Sequence, residues 1–117
     1  DKRWKNAVTY PVEITNTNPE IIKMFLRFLR KDVGVNENKL KVQIQMHADN
    51  DLHVVEFFWS KLTGIPISRF NKTIVRPIGN KVGKTMGTCK IRYIDKNVYL
   101  MLDDLLKKLI KKMNIGA

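Results

Sequence analysis

The sequence predicts an α+β domain, a mostly antiparallel sheet with helices on one face. Three observations predict it. Strand-like and helix-like segments alternate along the 117 residues. Each strand is one-sided, apolar on one face and polar on the other. Parallel strands covered by helices on both faces would instead be apolar throughout. With 44% apolar residues the chain can bury one core and is short for two, so a single domain over 1–117 is expected.

The first strand is read from Val8, Tyr10, Val12 and Ile14 alternating with Thr9, Pro11, Glu13 and Thr15, the period-two pattern of a half-buried strand. Pro11 lacks an N–H, which suits an edge or a bulge. A helix follows, with Asn18 as N-cap, Pro19 at its first position and Glu20 at the positive end of its dipole. Ile21, Ile22, Phe25, Phe28, Leu29 and Val33 recur at spacings of three and four, and Gly34 closes it. A second strand places Leu40, Val42, Ile44 and Met46 on one face and Lys41, Gln43, Gln45 and His47 on the other.

Asp49, Asn50 and Asp51 offer capping oxygens to a second helix, whose buried stripe is read as Val54, Val55, Phe58, Trp59 and Leu62 before Gly64 ends it. Residues 71–87 hold three Gly and a Pro and read as a long basic loop, with a short strand available at Thr73 to Arg76. Thr88 to Ile94 alternates again, with Cys89, Ile91 and Tyr93 against Thr88, Lys90 and Arg92. Asp95 caps the last helix, whose apolar stripe is Val98, Met101, Leu102, Leu105, Leu109 and Met113. Asp103 with Lys107, and Asp104 with Lys108, stand at the helix-stabilising i,i+4 spacing.

Charge is concentrated in this chain. The formal net charge is +11, and Phe57 to Ile94 holds eight Lys or Arg without one Asp or Glu, leaving +3 for the rest. A single-sign block within foldable sequence points to a polyanionic partner. Lys41, Gln43, Gln45 and His47 on one strand and Lys90 and Arg92 on another combine cations with amides, the side-chain classes that read guanine and adenine edges bidentately. Lys72, Arg76, Lys81 and Lys84 belong to a loop from Arg69 to Lys84 expected to grip phosphates, which position a protein without specifying sequence. Lys107, Lys108, Lys111 and Lys112 are read first as cations at the negative end of a helix, with a phosphate or membrane-surface contact as the alternative. Trp4 and Tyr10 are aromatics that could stack on bases, although core or rim packing is the ordinary role of such residues.

Catalytic chemistry has little support in the sequence. His47 and His53 are isolated, and Asp49 with Asp51 is explained by capping before a metal needs to be invoked. Gly79, Gly83 and Gly87 lack the strand-to-helix setting of a phosphate-cradling loop. The single Cys89 makes neither an internal disulfide nor a thiolate zinc site. No apolar run exceeds about five residues, far short of the ~18 of a membrane span. With no basic-then-apolar leader, a cytoplasmic, intracellular location is expected.

Four segments carry a family resemblance: Val12 to Glu20 (VEITNTNPE), Phe25 to Arg30 (FLRFLR), Trp59 to Pro66 (WSKLTGIP) and Gly87 to Tyr93 (GTCKIRY). Together the chain resembles the LAGLIDADG homing-endonuclease-like proteins of bacteria and archaea, over roughly residues 8–110. The resemblance implies an αββαββα fold whose four antiparallel strands form a saddle with its concave face in the DNA major groove. Val8 to Asn16 would be the second strand of that saddle, Leu40 to His47 the third and Thr88 to Ile94 the fourth. The helix at Val54 to Leu62 and the loop after it depart from the family pattern, and its first helix and first strand have no counterpart here. That helix bears the family motif, the dimer interface and the acidic residue that holds catalytic Mg2+, so no catalytic or metal-binding residue carries over.

The chain begins without Met, which fits a piece of a longer protein. The functional expectation is double-stranded DNA binding through Lys41, Gln43, Gln45, His47, Lys72, Arg76, Lys81, Lys84, Lys90 and Arg92, without cleavage as it stands. The alternatives are part of an active Mg2+-dependent endonuclease, homodimeric if the motif helix is present, or an RNA-binding module.

Overall fold

The computed structural model describes residues 10–77 and 86–116. They fall into two compact units, one of Glu13–Arg92 and one formed by the described parts of 1–12 and 93–117. In chain order the elements are β1 (Pro11–Asn16), α1 (Pro19–Arg27, continued by a π-helical turn Phe28–Val33), β2 (Lys41–His47), α2 (Leu52–Thr63), β3 (Ile74–Arg76), β4 (Thr88–Ile94) and α3 (Lys96–Gly116). The architecture is α+β, with strand order β1-β4-β2-β3.

The sheet is mixed, so the antiparallel expectation holds for one of its pairings and not for another. β2 pairs antiparallel with β4, but β3 runs parallel to β2. A parallel neighbour requires a crossover, and α2 supplies it between β2 and β3. Side-chain alternation is identical in both directions, so the sequence pattern carried no information on this point. β1 lies at a sheet edge, where the missing N–H of Pro11 is tolerated.

Helix boundaries follow from local chemistry. The Asn18 side chain accepts from the Glu20 N–H at 2.9 Å, and the Asp51 carboxylate accepts from His53 and Val54 at 2.9 and 3.2 Å. Gly34 and Gly64 close their helices in the left-handed region, at φ 78° and 72°. The α1 turn loosens at its end because the N–H groups of both Gly34 and Val35 donate to the Leu29 carbonyl.

The core of the Glu13–Arg92 unit lies between one sheet face and the two helices. Val42, Ile44, Met46, Cys89 and Ile91 from the strands meet Ile22, Leu26 and Leu29 of α1 and Val55 and Trp59 of α2. The α2 stripe is narrower than its apolar residues suggest: Val54 is exposed, and the buried Thr63 takes a core position instead. Thr63 belongs there because its hydroxyl donates to the Trp59 carbonyl at 2.7 Å and accepts from the Ile65 N–H at 3.2 Å. Trp59 is fully enclosed, and its indole N–H donates to the Met86 carbonyl at 2.7 Å. Gly87, next in the chain, has φ 77°, and a Cβ there would stand 2.6 Å from the Gln45 carbonyl oxygen.

In the second unit, Asp95 caps α3, its carboxylate accepting from the Val98 N–H at 3.1 Å. Tyr10 packs edge-on against Tyr99 at 5.4 Å, with the Lys96 ammonium 5.7 Å from its ring centre, so its ring is engaged in packing. Trp4 lies outside the described residues. Met101, Leu105, Leu109 and Met113 of the α3 stripe are exposed.

Two glycines separate the cost of a backbone angle from the cost of a collision. Nothing lies within 4 Å of a Cβ at Gly34, so Gly34→Ala should cost about 1–2 kcal/mol, the left-handed penalty alone. Gly87→Ala adds displacement of the Gln45 backbone and should cost at least ~1 kcal/mol more. Urea unfolding of the two variants checks the order.

Candidate nucleic-acid interface

The face of the sheet opposite the core is built by register. Across the antiparallel pair, Lys41 stands opposite Arg92, Gln43 opposite Lys90 and Gln45 opposite Thr88. Directly opposed residues share a face, so these six form one polar array, while Val42 with Ile91 and Ile44 with Cys89 point into the core. On the other side of β2, Ile74 lies beside Gln45 and Arg76 beside His47. Eight of the ten residues expected from sequence are thereby placed: Lys41, Gln43, Gln45, His47, Lys90 and Arg92 on the array, Arg76 on the strand next to it, and Lys72 two residues before that strand. Lys81 and Lys84 lie outside the described residues.

Two of the array's side chains are tethered. The Gln43 amide donates to the Lys72 carbonyl at 3.0 Å, and His47 Nδ1 lies 3.1 Å from the Pro77 carbonyl. A carbonyl only accepts, so Nδ1 carries a proton and Nε2 is the nitrogen left for another partner. Gln43 keeps its carbonyl oxygen and one N–H. Gln45 has no side-chain hydrogen bond among the described residues, and its amide is the one whose donor and acceptor both remain available for a base edge.

Glu13 is the residue that the sequence reading passed over. Its carboxylate lies 3.7 Å from the Lys90 ammonium and 3.6 Å from Arg92 Nε, setting an acid among the cations of the array. The signal was present, since Glu13 stands on the polar side of the β1 alternation, but the neighbour relation of β1 and β4 was not legible. At 3.6 Å the Arg92 contact is an ion pair without a hydrogen bond, and Arg92 Nε is buried with its donor unused. Lys41, Lys72 and Arg76 have no acidic partner among the described residues.

Arg69 departs from the expected phosphate-gripping role. Its guanidinium donates to the backbone carbonyls of Glu37 and, at 3.4 Å, Leu40, which fixes the turn leading into β2. Arg30 holds the Glu37 carboxylate with hydrogen bonds of 2.6–3.2 Å, and this pairing lowers the carboxyl's pKa below its usual range. Cys89 is enclosed, and burial pushes its thiol up to about 12, far from a reactive thiolate. Among the described residues no three His, Cys, Asp or Glu side chains gather into a metal-binding group, and no helix is long and apolar enough to cross a membrane.

No family model, curated protein or solved structure matches the chain. The arrangement of its own residues therefore carries the functional argument.

Neutralising Glu13 exposes its role. Glu13→Gln should raise affinity for random-sequence duplex about three- to tenfold at low salt and steepen the log–log salt dependence by roughly one unit. Fluorescence anisotropy titrations at several salt concentrations measure both.

Proposed function

We propose that this protein binds double-stranded DNA through the polar face of its sheet, with base edges read by Gln45, Lys41, Lys90 and Arg92 and phosphates held by Lys72 and Arg76. The observation that carries the reading is the β2–β4 register, which sets Lys41 against Arg92 and Gln43 against Lys90 on the face away from the core. A solvated sheet face with no partner has no need for an acid-poor array of this composition. Bidentate contacts from Arg or Lys to guanine and from Gln to adenine discriminate bases in the major groove, while loop cations contribute affinity without specificity.

The likeness of residues 8–110 to the LAGLIDADG homing-endonuclease-like proteins supports the same reading, because their saddle also presents a strand face to the major groove. The proposal is one of binding, and no residue of this chain is assigned a part in cleavage. The tethers from Gln43 and His47 to the backbone at Lys72 and Pro77 favour a preorganised face, since side chains already held lose less rotamer freedom when DNA arrives.

Selection from a random duplex library tests the reading. Duplex binding should weaken with rising salt, and Lys72→Ala or Arg76→Ala should each reduce the slope by about one unit at every site tested. Gln45→Ala should instead relax preference at one position of the selected site, with a loss there of about 1–3 kcal/mol. Salt-independent binding, or none at low salt, would refute the proposal. Stronger binding to an A-form RNA duplex of matched sequence would transfer the face to RNA.

A further inference from the structure

The seam between α1 and α2 holds a surface that the sheet's polar face does not use. Two open hollows of about 470 and 530 Å3 lie along it and share Lys23 and Leu62, each within the ~300–1,000 Å3 of ligand pockets. One half is apolar, built from Val54, Phe57, Phe58 and Leu62 of α2 with Met86. Val54 and Phe57 there are 51% and 58% exposed. The other half is basic, with Lys23, Arg27, Arg30 and Lys31 of α1 and its π-helical turn set around Leu26 and Leu62. Apolar floor and cations thus line the same groove. Glu20 is the one acid among the residues lining the two hollows.

Charge and floor together select the occupant. Arg30 is paired with Glu37 at 2.6 Å, and the Lys61 ammonium lies 5.5 Å from the centre of the Phe57 ring. Lys23, Arg27 and Lys31 have no acidic partner within ion-pair distance among the described residues, although Asp32 borders the last two. Such a row attracts an anionic partner. A nucleic acid would meet it with phosphates and leave the aliphatic floor uncovered, because bases stack on open ring faces. Here Lys61 covers one face of Phe57, and Phe58 packs edge-on against Trp59 at 5.1 Å. A second copy of this chain, with net charge +11, is repelled. An acidic amphipathic helix satisfies both halves, laying aliphatic side chains on the floor and carboxylates along the cations. We infer that the α1–α2 groove docks an acidic amphipathic helix of another protein. α1 and α2 cover the core face of the sheet, so the groove lies on the other side of the Glu13–Arg92 unit from the polar array. The inference does not depend on what that array binds.

A labelled synthetic peptide of about 16 residues, with Leu at three–four spacing and Glu elsewhere, should bind the full chain with a Kd of about 10 µM at near-physiological salt, the range of a small transient interface. Fluorescence anisotropy reads it. Replacing the peptide's Glu by Gln should weaken binding about tenfold, and scrambling its order, which keeps the charge but removes the apolar side, should weaken it at least as much. Val54→Ser with Phe57→Ser, both at exposed positions, should leave the circular dichroism spectrum unchanged and lower affinity for the Glu peptide about tenfold. Arg27→Gln with Lys31→Gln should bring the Glu peptide down to the affinity of the Gln peptide and leave the Gln peptide as it was. In amide NMR spectra the Glu peptide should shift Lys23, Arg27, Lys31 and Phe57 and leave Gln43 and Gln45 in place. Absence of binding up to about 1 mM overturns the inference. Equal binding of the scrambled peptide overturns it too, by reducing the attraction to charge alone. So do shifts confined to Gln43 and Gln45, which put the peptide on the sheet, and tighter binding of a single-stranded RNA that Phe57→Ser weakens, which gives the groove to nucleic acid.

Discussion

The contact on which the Glu13–Arg92 unit depends joins α2 to the start of β4. Trp59 is the largest fully buried side chain among the described residues, and an indole N–H taken out of water without a partner carries a substantial desolvation cost. The Met86 carbonyl satisfies it at 2.7 Å, which fixes where the chain enters β4. One residue later Gly87 passes so close to the Gln45 carbonyl that only a missing side chain permits the approach. Helix position, strand entry and the β2–β4 spacing are thus tied together by one part-buried hydrogen bond and one absent Cβ. The polar face inherits its geometry from that arrangement, because the register that buries Ile44 against Cys89 is the register that aligns Gln43 with Lys90.

The array is less uniform than its composition. Among its cations, Lys90 and Arg92 face an acid within the sheet, whereas Lys41 and the adjacent Arg76 face none among the described residues. Ion pairs between exposed groups contribute little to stability, so Glu13 matters chiefly for the field it leaves at the surface. It lowers the general attraction for any polyanion while leaving hydrogen-bonding groups in place, a balance that favours discrimination over bulk affinity.

Much of this was legible in the sequence, and the failures have physical causes. The strands around Val42 and Ile91 were readable because alternation survives any tertiary context. The caps at Asn18, Asp51 and Asp95 were readable because orphan N–H groups need oxygen acceptors. Strand direction was not, since Ile74 to Arg76 alternates identically whichever way it runs. Thr63 was missed because its burial depends on a hydroxyl satisfied by backbone one turn away, and Val54 was overread because helix periodicity gives a face but not its width. Arg69 looked like its basic neighbours, and only the fold shows its guanidinium turned onto backbone carbonyls. The polar array was anticipated strand by strand, yet the carboxylate within it depended on which strands are neighbours.

The sheet's two outer strands have a consequence for how the protein fares when crowded. An unpaired strand edge is a template onto which another chain can add, the first step toward fibrils and insoluble aggregates. Here β1 opens with Pro11, which has no N–H to offer, and β3 is three residues long, ends in Arg76 and is followed by Pro77. Short length, charge and proline each discourage strand addition. A strongly basic chain, net charge +11, is thereby guarded against adding strands to its own sheet edges.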